Sequence, residues 1–259
     1  MSSSQPVKVA TVEHPQGRVA RVAVGGGALN ILDTPTILAC TAAIERLSHD
    51  ETLRAVVLTG TGDRAFIGGA DIHEMAALDA AGAEAFIGRL HGLCAALRDL
   101  PVPVIARVNG YALGAGLEVA AACDLRIASR DAVFGMPEVR VGIPSVIEAA
   151  LLPGLIGWGR TRELLLLGDT IDAEIALRWG LIERLAAPEE LDAAVDQCVR
   201  ALLAAGARAI RLQKALIRQW EELPLRDAVA AGIKSFAQAY ASDEPARMMG
   251  AFINRRRRT

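Results

Sequence analysis

The sequence predicts an α/β protein with an all-helical C-terminal part, and two features of the chain support this fold class. In the first half, short β-branched runs such as residues 55–59 (AVVLT) alternate with segments of helical spacing, which is typical of a sheet with crossover connections. After about Pro144 the chain predicts helices alone, separated by glycine and proline. No Gly/Ser-rich linker lies between the two parts, so we expect them to pack together.

Local patterning predicts each element in turn. Strands are expected at residues 7–13, 18–24, 55–59, 102–108, 124–128 and 132–134, of which the first two form a hairpin. Helices are expected at residues 34–47, 84–100, 160–167, 173–179, 189–205, 207–220, 225–239 and 245–256. Glycine and proline separate the C-terminal helices at Gly168, Gly180, Gly206 and Pro224.

The composition of the 259-residue chain restricts its class further. The chain is 52% hydrophobic and only 4% aromatic, so its core must be built from aliphatic side chains, and a formal net charge of -2 argues against a nucleic-acid partner. Residues 1–5 lack the features of a signal peptide, and no apolar run approaches the roughly 20 residues that cross a bilayer. We therefore expect a cytoplasmic protein with no membrane partner. The cysteines lack metal-binding spacing, so they indicate buried thiols of a reduced compartment and no metal site: Cys40, Cys94, Cys123 and Cys198.

Residues 109–124 (NGYALGAGLEVAAACD) contain a glycine cluster followed by a single carboxylate in an apolar helix. A dinucleotide-binding fingerprint does not fit, because Val119 stands where its third glycine belongs and Gly114 comes too late after the strand. A backbone N–H at Ala115, at the start of the helix, could instead hold an oxyanion. Glu118 would then lie one turn further on, facing the bound group. Taken alone, Glu118 fits equally well an ordinary acid in the first turn of a helix.

Two further segments have the composition of a ligand site. Residues 65–74 (AFIGGADIHE) form a glycine-rich turn in which Gly68, Gly69 and Ala70 permit a ligand to approach the backbone. In residues 134–142 (FGMPEVRVG), Glu138 follows Pro137 in a loop where the scaffold could hold an acid. Each segment alone also fits a plain loop with a solvated carboxylate.

Together, in this order and spacing, the three segments closely resemble the crotonase (enoyl-CoA hydratase/isomerase) family. Further similarity lies in residues 164–185 (LLLLGDTIDAEIALRWGLIERL) and in residues 248–256 (MMGAFINRR), so the resemblance covers nearly the whole chain. It implies a spiral of β-β-α units with a helical C-terminal trimerisation region. Residues 1–195 would form the core with an acyl-CoA site, and residues 196–259 would pack on the core and on neighbouring subunits.

The resemblance also implies an activity. Backbone N–H groups of Ala70 and Ala115 would hold a thioester oxygen, Glu118 would activate water, and Glu138 would protonate the α carbon. Members of the family with both acids add water across the 2,3 double bond of an enoyl-CoA thioester. Members with one acid or none catalyse other reactions, so a double-bond isomerase or a thioester hydrolase is the alternative.

The sequence departs from the family pattern at two places. Many members carry P-G-x-G-G where this chain has residues 144–148 (PSVIE), which leaves the length and polarity of the acyl group open. Glu148 would either face solvent or, together with Ile147, shorten the acyl pocket and favour an acyl group that bears a hydroxyl or amine donor. A lysine that contacts the nucleotide in some relatives is missing here, and we expect Arg64 and the arginines at 255–258 to replace its charge.

The resemblance completes the expected site and its partners. Substrate-binding positions are expected at Ala28, Arg64, Gly68, Gly69, Asp71, Ile72, Gly114, Glu148, Phe252 and Arg255. No cofactor is expected beyond the coenzyme A of the substrate itself, and the assembly is expected to be a homotrimer or homohexamer. A non-catalytic protein that binds RNA or another partner through residues 255–258 is a further alternative, although the near-neutral net charge gives it little support.

Overall fold

The computed structural model describes residues 6–25 and 27–256, with the backbone alone for Arg255 and Arg256. The strands within these ranges are β1 Val7–His14, β2 Gly17–Val24, β3 Leu53–Gly60, β4 Ala65–Ile67, β5 Val104–Val108, β6 Tyr111–Leu113, β7 Leu125–Ser129, β8 Val133–Gly135, β9 Thr170–Asp172 and β10 Arg184–Ala186. The α-helices are α1 Thr34–Ser48, α2 Ile72–Ala76, α3 Ala80–Asp99, α4 Ala115–Ala122, α5 Leu152–Leu167, α6 Ala173–Trp179, α7 Leu191–Ala204, α8 Ala207–Glu222, α9 Leu225–Ala239 and α10 Glu244–Arg256. Short 3₁₀ helices span Pro137–Val141, Ile147–Leu151 and Pro188–Glu190.

The strands form two sheets. The larger has the order β1-β2-β3-β5-β7-β10 and is parallel beyond the β1–β2 hairpin, while the smaller has the order β4-β6-β8-β9. The chain alternates between the sheets, because β3, β5 and β7 belong to the larger and β4, β6 and β8 to the smaller. Helices follow the first two strand pairs, which is the arrangement expected of a spiral of β-β-α units.

The core follows from the continuous apolar runs of the central strands. Every residue of β3 is buried, and its side chains alternate between two clusters. Val56 and Leu58 pack in the main core with α1 and α3, whereas Ala55 and Val57 pack against α7 on the other face. A strand without polar alternation is typical of a parallel sheet covered on both sides. All four cysteines are free and buried, as the sequence predicts.

The C-terminal helices are connected to the core by a buried ammonium group. Lys214 of α8 is only 6% exposed, and its Nζ donates hydrogen bonds to the carbonyls of Leu97 and Val102 at 3.1 and 3.0 Å. It also pairs with the Asp124 carboxylate at 2.7 Å, which compensates for its burial. The expected packing of the two parts is therefore observed, while the boundary after residue 195 stays a prediction. None of the helices described is long and apolar enough to cross a membrane.

The expectation that strands are absent after Pro144 is wrong. β9 pairs antiparallel with β8, and β10 pairs parallel with β7. Each contains three residues, which is too few to show alternation in the sequence. The same limit explains why β4 and β6 were not predicted. Helix α5 consists of two helical pieces that meet at Gly157, whose φ of 79° and ψ of 157° are non-helical, and the second piece corresponds to the helix expected at residues 160–167.

Candidate active site

The turn between β4 and α2 presents its backbone toward a cavity. Its conformation is fixed by the Gly68 N–H, which donates to the Leu29 carbonyl at 2.8 Å, and by the Leu32 N–H, which donates to the Gly69 carbonyl at 2.9 Å. Gly69 has φ of 128°, a conformation that favours glycine. Ala70, which follows, lines the cavity.

The turn between β6 and α4 lies beside it. Ala115 is the first residue of α4, where backbone N–H groups have no intrahelical acceptor and the helix dipole favours negative charge. A Cβ at Gly116 would lie 2.0 Å from the Ile67 carbonyl oxygen, so only glycine allows α4 to pack this closely on the end of β4. The two predicted oxyanion positions therefore line the same cavity.

This cavity has a volume of about 180 Å³, and most of the predicted site residues line it. Predicted residues among its walls are Gly68, Gly69, Ala70, Ile72, Gly114, Ala115, Glu118 and Glu138. Apolar side chains of α2 and α3 complete it, namely Met75, Phe86, Ile87 and Leu90. Among the residues that the structure describes, no cluster of three or more His, Cys, Asp or Glu side chains could hold a metal ion.

Glu118 is a buried carboxylate in an otherwise apolar helix. It is 3% exposed, and all eight residues of α4 are buried. Its Oε1 accepts a hydrogen bond from the Ala149 N–H at 3.3 Å. Burial raises the pKa of Glu118 to about 8, the negative charges of Glu138 and Glu148 act in the same direction, and the Ala149 N–H opposes them.

Glu138 faces the same cavity from the 3₁₀ helix after β8. Its Oε2 accepts a hydrogen bond from the Ser145 hydroxyl at 2.8 Å. A Cβ at Gly114 would lie 2.3 Å from Glu138 Oε1, and the φ of Gly114 is 52°, so glycine is required there both for the turn and for the carboxylate. Ser145 was not predicted, because a single serine in a loop has no distinguishing pattern.

Glu148 does not face solvent. It is 3% exposed, and its carboxylate contacts Nδ1 of His91 on α3, so the solvent-facing alternative is wrong. The side chain lies outside the cavity lining but close enough to Glu118 for its charge to act there. A role for Glu148 in choosing the acyl group stays a prediction. His91 was not predicted, because 57 residues separate it from its partner.

Two positions that the resemblance assigns to substrate binding lie at a separate surface depression of about 380 Å³. Ala28 and Arg64 line it together with Lys8, a cation that was not predicted. The structure thus brings two positive side chains near the place where the missing family lysine was expected.

The other expected positions lie at the rim of this cavity or away from it. The Asp71 carboxylate is occupied as the N-cap of α2, where it accepts from the Glu74 N–H at 2.9 Å. Ile72 is 60% exposed at the cavity rim, and Phe252 is exposed on α10 outside the cavity lining. The side chain of Arg255 and the arginines at 257 and 258 lie outside the described residues.

Comparison with known proteins agrees with the fold. The pattern of the enoyl-CoA hydratase/isomerase family matches residues 16–259. The chain is 35% identical over 231 residues to crotonyl-CoA hydratase of Syntrophomonas wolfei, covering 89% of each chain. It is 34% identical over 244 residues to short-chain-enoyl-CoA hydratase of Clostridium acetobutylicum, covering 93% of this chain and 94% of that one. The crystal structure of an enoyl-CoA hydratase from Bacillus anthracis matches with a TM-score of 0.91 at 26% identity over 97% of both chains. The chain belongs to the enoyl-CoA hydratase/isomerase family, which confirms the predicted family and fold.

The raised pKa of Glu118 predicts how stability depends on pH. Because its pKa rises from 4.5 to about 8 on folding, the folded state holds the proton more tightly, and wild-type stability falls as pH rises through this range. The variant Glu118→Gln cannot ionise. Its free energy of unfolding should match that of the wild type near pH 4 and exceed it above about pH 8 by a few kcal/mol, at ~1.4 kcal/mol per pKa unit.

Chemical denaturation across this pH range measures the difference. The matched control is Glu163→Gln, which removes a carboxylate at an exposed position of α5 outside the cavity lining. A difference between wild type and Glu118→Gln that is constant with pH would contradict the raised pKa.

Proposed function

We propose that the protein is an enoyl-CoA hydratase, which adds water across the 2,3 double bond of a 2-enoyl-CoA thioester. The observation that carries this proposal is that Glu118 and Glu138 line the same cavity as the backbone of Ala70 and Ala115. Two N–H groups on a thioester oxygen stabilise the charge that develops there, and two carboxylates can move protons to and from water. The names of the two similar hydratases point to the same reaction.

In the proposed reaction, the N–H groups of Ala70 and Ala115 bind the thioester oxygen, each stabilising the transition state by about 3–4 kcal/mol. The ionised Glu118 takes a proton from water as the oxygen of that water bonds to the β carbon. The electron pair of the double bond moves toward the thioester oxygen, and the resulting enolate takes a proton from Glu138 at the α carbon. Because the pKa of Glu118 is about 8, kcat/KM should rise as pH approaches that value.

A double-bond isomerase or thioester hydrolase is the alternative activity. The alternative gains support if Glu148 rather than Glu118 is the working base. Against it, Glu148 contacts His91 and lies outside the cavity lining, whereas Glu118 is part of that lining. Hydration is therefore the reaction that the arrangement supports best.

Substitution of the two acids tests the proposal. In Glu118→Gln and in Glu138→Gln, turnover of crotonyl-CoA should fall by about 10²-fold or more while binding is retained, because each variant loses one proton-transfer group. Loss of the enoyl-thioester absorbance measures turnover, and Glu163→Gln is the control. Turnover within a few-fold of wild type in both variants would remove the assignment. Free thiol or a shifted double bond as the main product would favour the hydrolase or the isomerase instead.

We further propose that the substrate carries a short acyl chain. The cavity volume of about 180 Å³ lies below the ~300–1,000 Å³ of typical ligand sites. Phe86, Ile87 and Leu90 of α3 close its apolar side. The nucleotide of coenzyme A would lie at the depression with Lys8 and Arg64, whose charges suit its phosphates. Coenzyme A enters as part of the substrate, and the proposed steps use no other cofactor.

The chain-length proposal predicts a ranking of substrates. From four-carbon to eight-carbon and twelve-carbon 2-enoyl-CoA, kcat/KM should fall by roughly tenfold or more, because overfilling an apolar pocket opposes binding. Ile87→Ala should reduce this preference by enlarging the cavity, whereas Leu38→Ala at an exposed position of α1 should not. A flat profile for the wild type would contradict the proposal.

We also propose that the protein assembles as a homotrimer or homohexamer. Helix α9 exposes a row of large apolar side chains, with Leu225 81%, Ile233 70% and Phe236 69% exposed. An apolar face of this kind is typical of a contact with another chain.

Light scattering should give three or six times the chain mass of 27.3 kDa. Ile233→Glu should lower the mass, because a carboxylate in an apolar interface is costly to desolvate. Lys234→Glu, at the exposed neighbouring position of α9, is the control and should leave the mass unchanged. A wild-type mass equal to one chain at micromolar concentration would refute the assembly.

A further inference from the structure

Glu148 is a buried carboxylate that contacts two side chains of α3, the imidazole of His91 and the thiol of Cys94. Its Oε1 and Oε2 lie 3.0 and 3.3 Å from His91 Nδ1. The His91 side chain is 56% exposed, whereas that of Glu148 is 3% exposed. A carboxylate without a partner is costly to bury, so the contacts with His91 and Cys94 help Glu148 to remain in the interior.

The turn that contains Glu148 has a strained backbone. Ile147, the residue before it, has φ of 37°. A β-branched residue rarely adopts this conformation, and it persists only where surrounding contacts hold it. The contact between Glu148 and His91 joins this turn to α3, which is a long and well-packed helix.

The same turn contacts the proposed catalytic base. The N–H of Ala149, the residue after Glu148, donates to Oε1 of Glu118 at 3.3 Å. Two consecutive residues therefore link Glu118 and His91 through one short segment of backbone. A change at His91 can reach Glu118 through this turn, through the charge of Glu148 and through the packing of α3 against α4.

We propose that His91 and Glu148 are positioning residues for Glu118. Their pairing holds the turn at 147–149, so that the Ala149 N–H orients the Glu118 carboxylate, and the charge of Glu148 adjusts its proton affinity. This inference rests on the proposed function, in which Glu118 is the base.

The titratable groups that face Glu118 come from three elements. They are Glu138 from the 3₁₀ helix Pro137–Val141, Glu148 from the 3₁₀ helix Ile147–Leu151, and Cys94 from α3. The charge of Glu148 raises the pKa of Glu118, and the N–H of Ala149 lowers it. Removing only the charge at position 148 should therefore lower the pKa of Glu118.

Glu148→Gln isolates the effect of charge. The variant keeps the shape of the side chain and an acceptor for His91, but it carries no charge. The rising limb of kcat/KM against pH on crotonyl-CoA should move to lower pH than in the wild type. Titration of the Glu118 carboxyl by NMR, assigned with Glu118→Gln, should show the same shift without turnover.

His91→Ala removes the contact between His91 and Glu148 and leaves the charge of Glu148 in place. Loss of the donor frees the turn, and kcat on crotonyl-CoA should fall roughly tenfold with KM within twofold, since a ~1 Å misplacement near a reacting group costs up to about 10²-fold. His91→Gln, whose amide N–H can donate to Glu148, should recover most of this loss. His49→Ala, which removes an exposed histidine at the end of α1, is the control and should match the wild type.

The outcomes separate this inference from the proposed function. Wild-type protein that does not hydrate crotonyl-CoA would overturn the proposed function. An unshifted titration of Glu118 in Glu148→Gln would overturn the role of the charge, whatever the activity. Wild-type kcat in His91→Ala, or equal losses in His91→Ala and His91→Gln, would overturn the positioning role.

Discussion

The close approach of α4 to the end of β4 is the contact on which the candidate site depends. At Gly116 the helix backbone lies so near the Ile67 carbonyl that a methyl group could not fit. This contact sets the first N–H groups of α4 beside the turn at Ala70, and it directs Glu118 into the same cavity. The Ala-rich composition of α4 has the same cause, because small side chains let a helix approach a sheet edge closely.

The close packing around α4 affects the charge of Glu118. Glu118 occupies an apolar helix with two further carboxylates nearby, so its charged form is disfavoured by burial first and by Glu138 next. The structure partly compensates with hydrogen-bond donors, namely the Ala149 N–H on Glu118 and the Ser145 hydroxyl on Glu138. A carboxyl group with a pKa near neutrality is what proton transfer at physiological pH requires. The cost in stability and the proposed reactivity therefore have one origin.

The parts of this arrangement that the sequence could predict are those with a local pattern. Strand β3 was predicted from its uninterrupted apolar run, whereas β9 and β10 contain three residues each and exist through pairing with distant strands. Glu118 and Glu138 were predicted as site residues from the resemblance to a family, and in the structure both line one cavity. His91 could not be found this way, because its significance comes only from a contact with a residue far along the chain.

Most of the features that distinguish this site lie in the segment from Pro144 to Ala149. The two glycine turns and α4 fix where a thioester oxygen would bind, and their geometry leaves little room for substitution. The segment after Glu138 has fewer such restrictions. It nevertheless contains the hydrogen-bond donors of both carboxylates, the Ser145 hydroxyl for Glu138 and the Ala149 N–H for Glu118. It also carries Glu148 into the interior, where glycine would leave neither a charge nor a link to α3. Changes in this short stretch can therefore alter the surroundings of both carboxylates while the backbone at Ala70 and Ala115 stays in place.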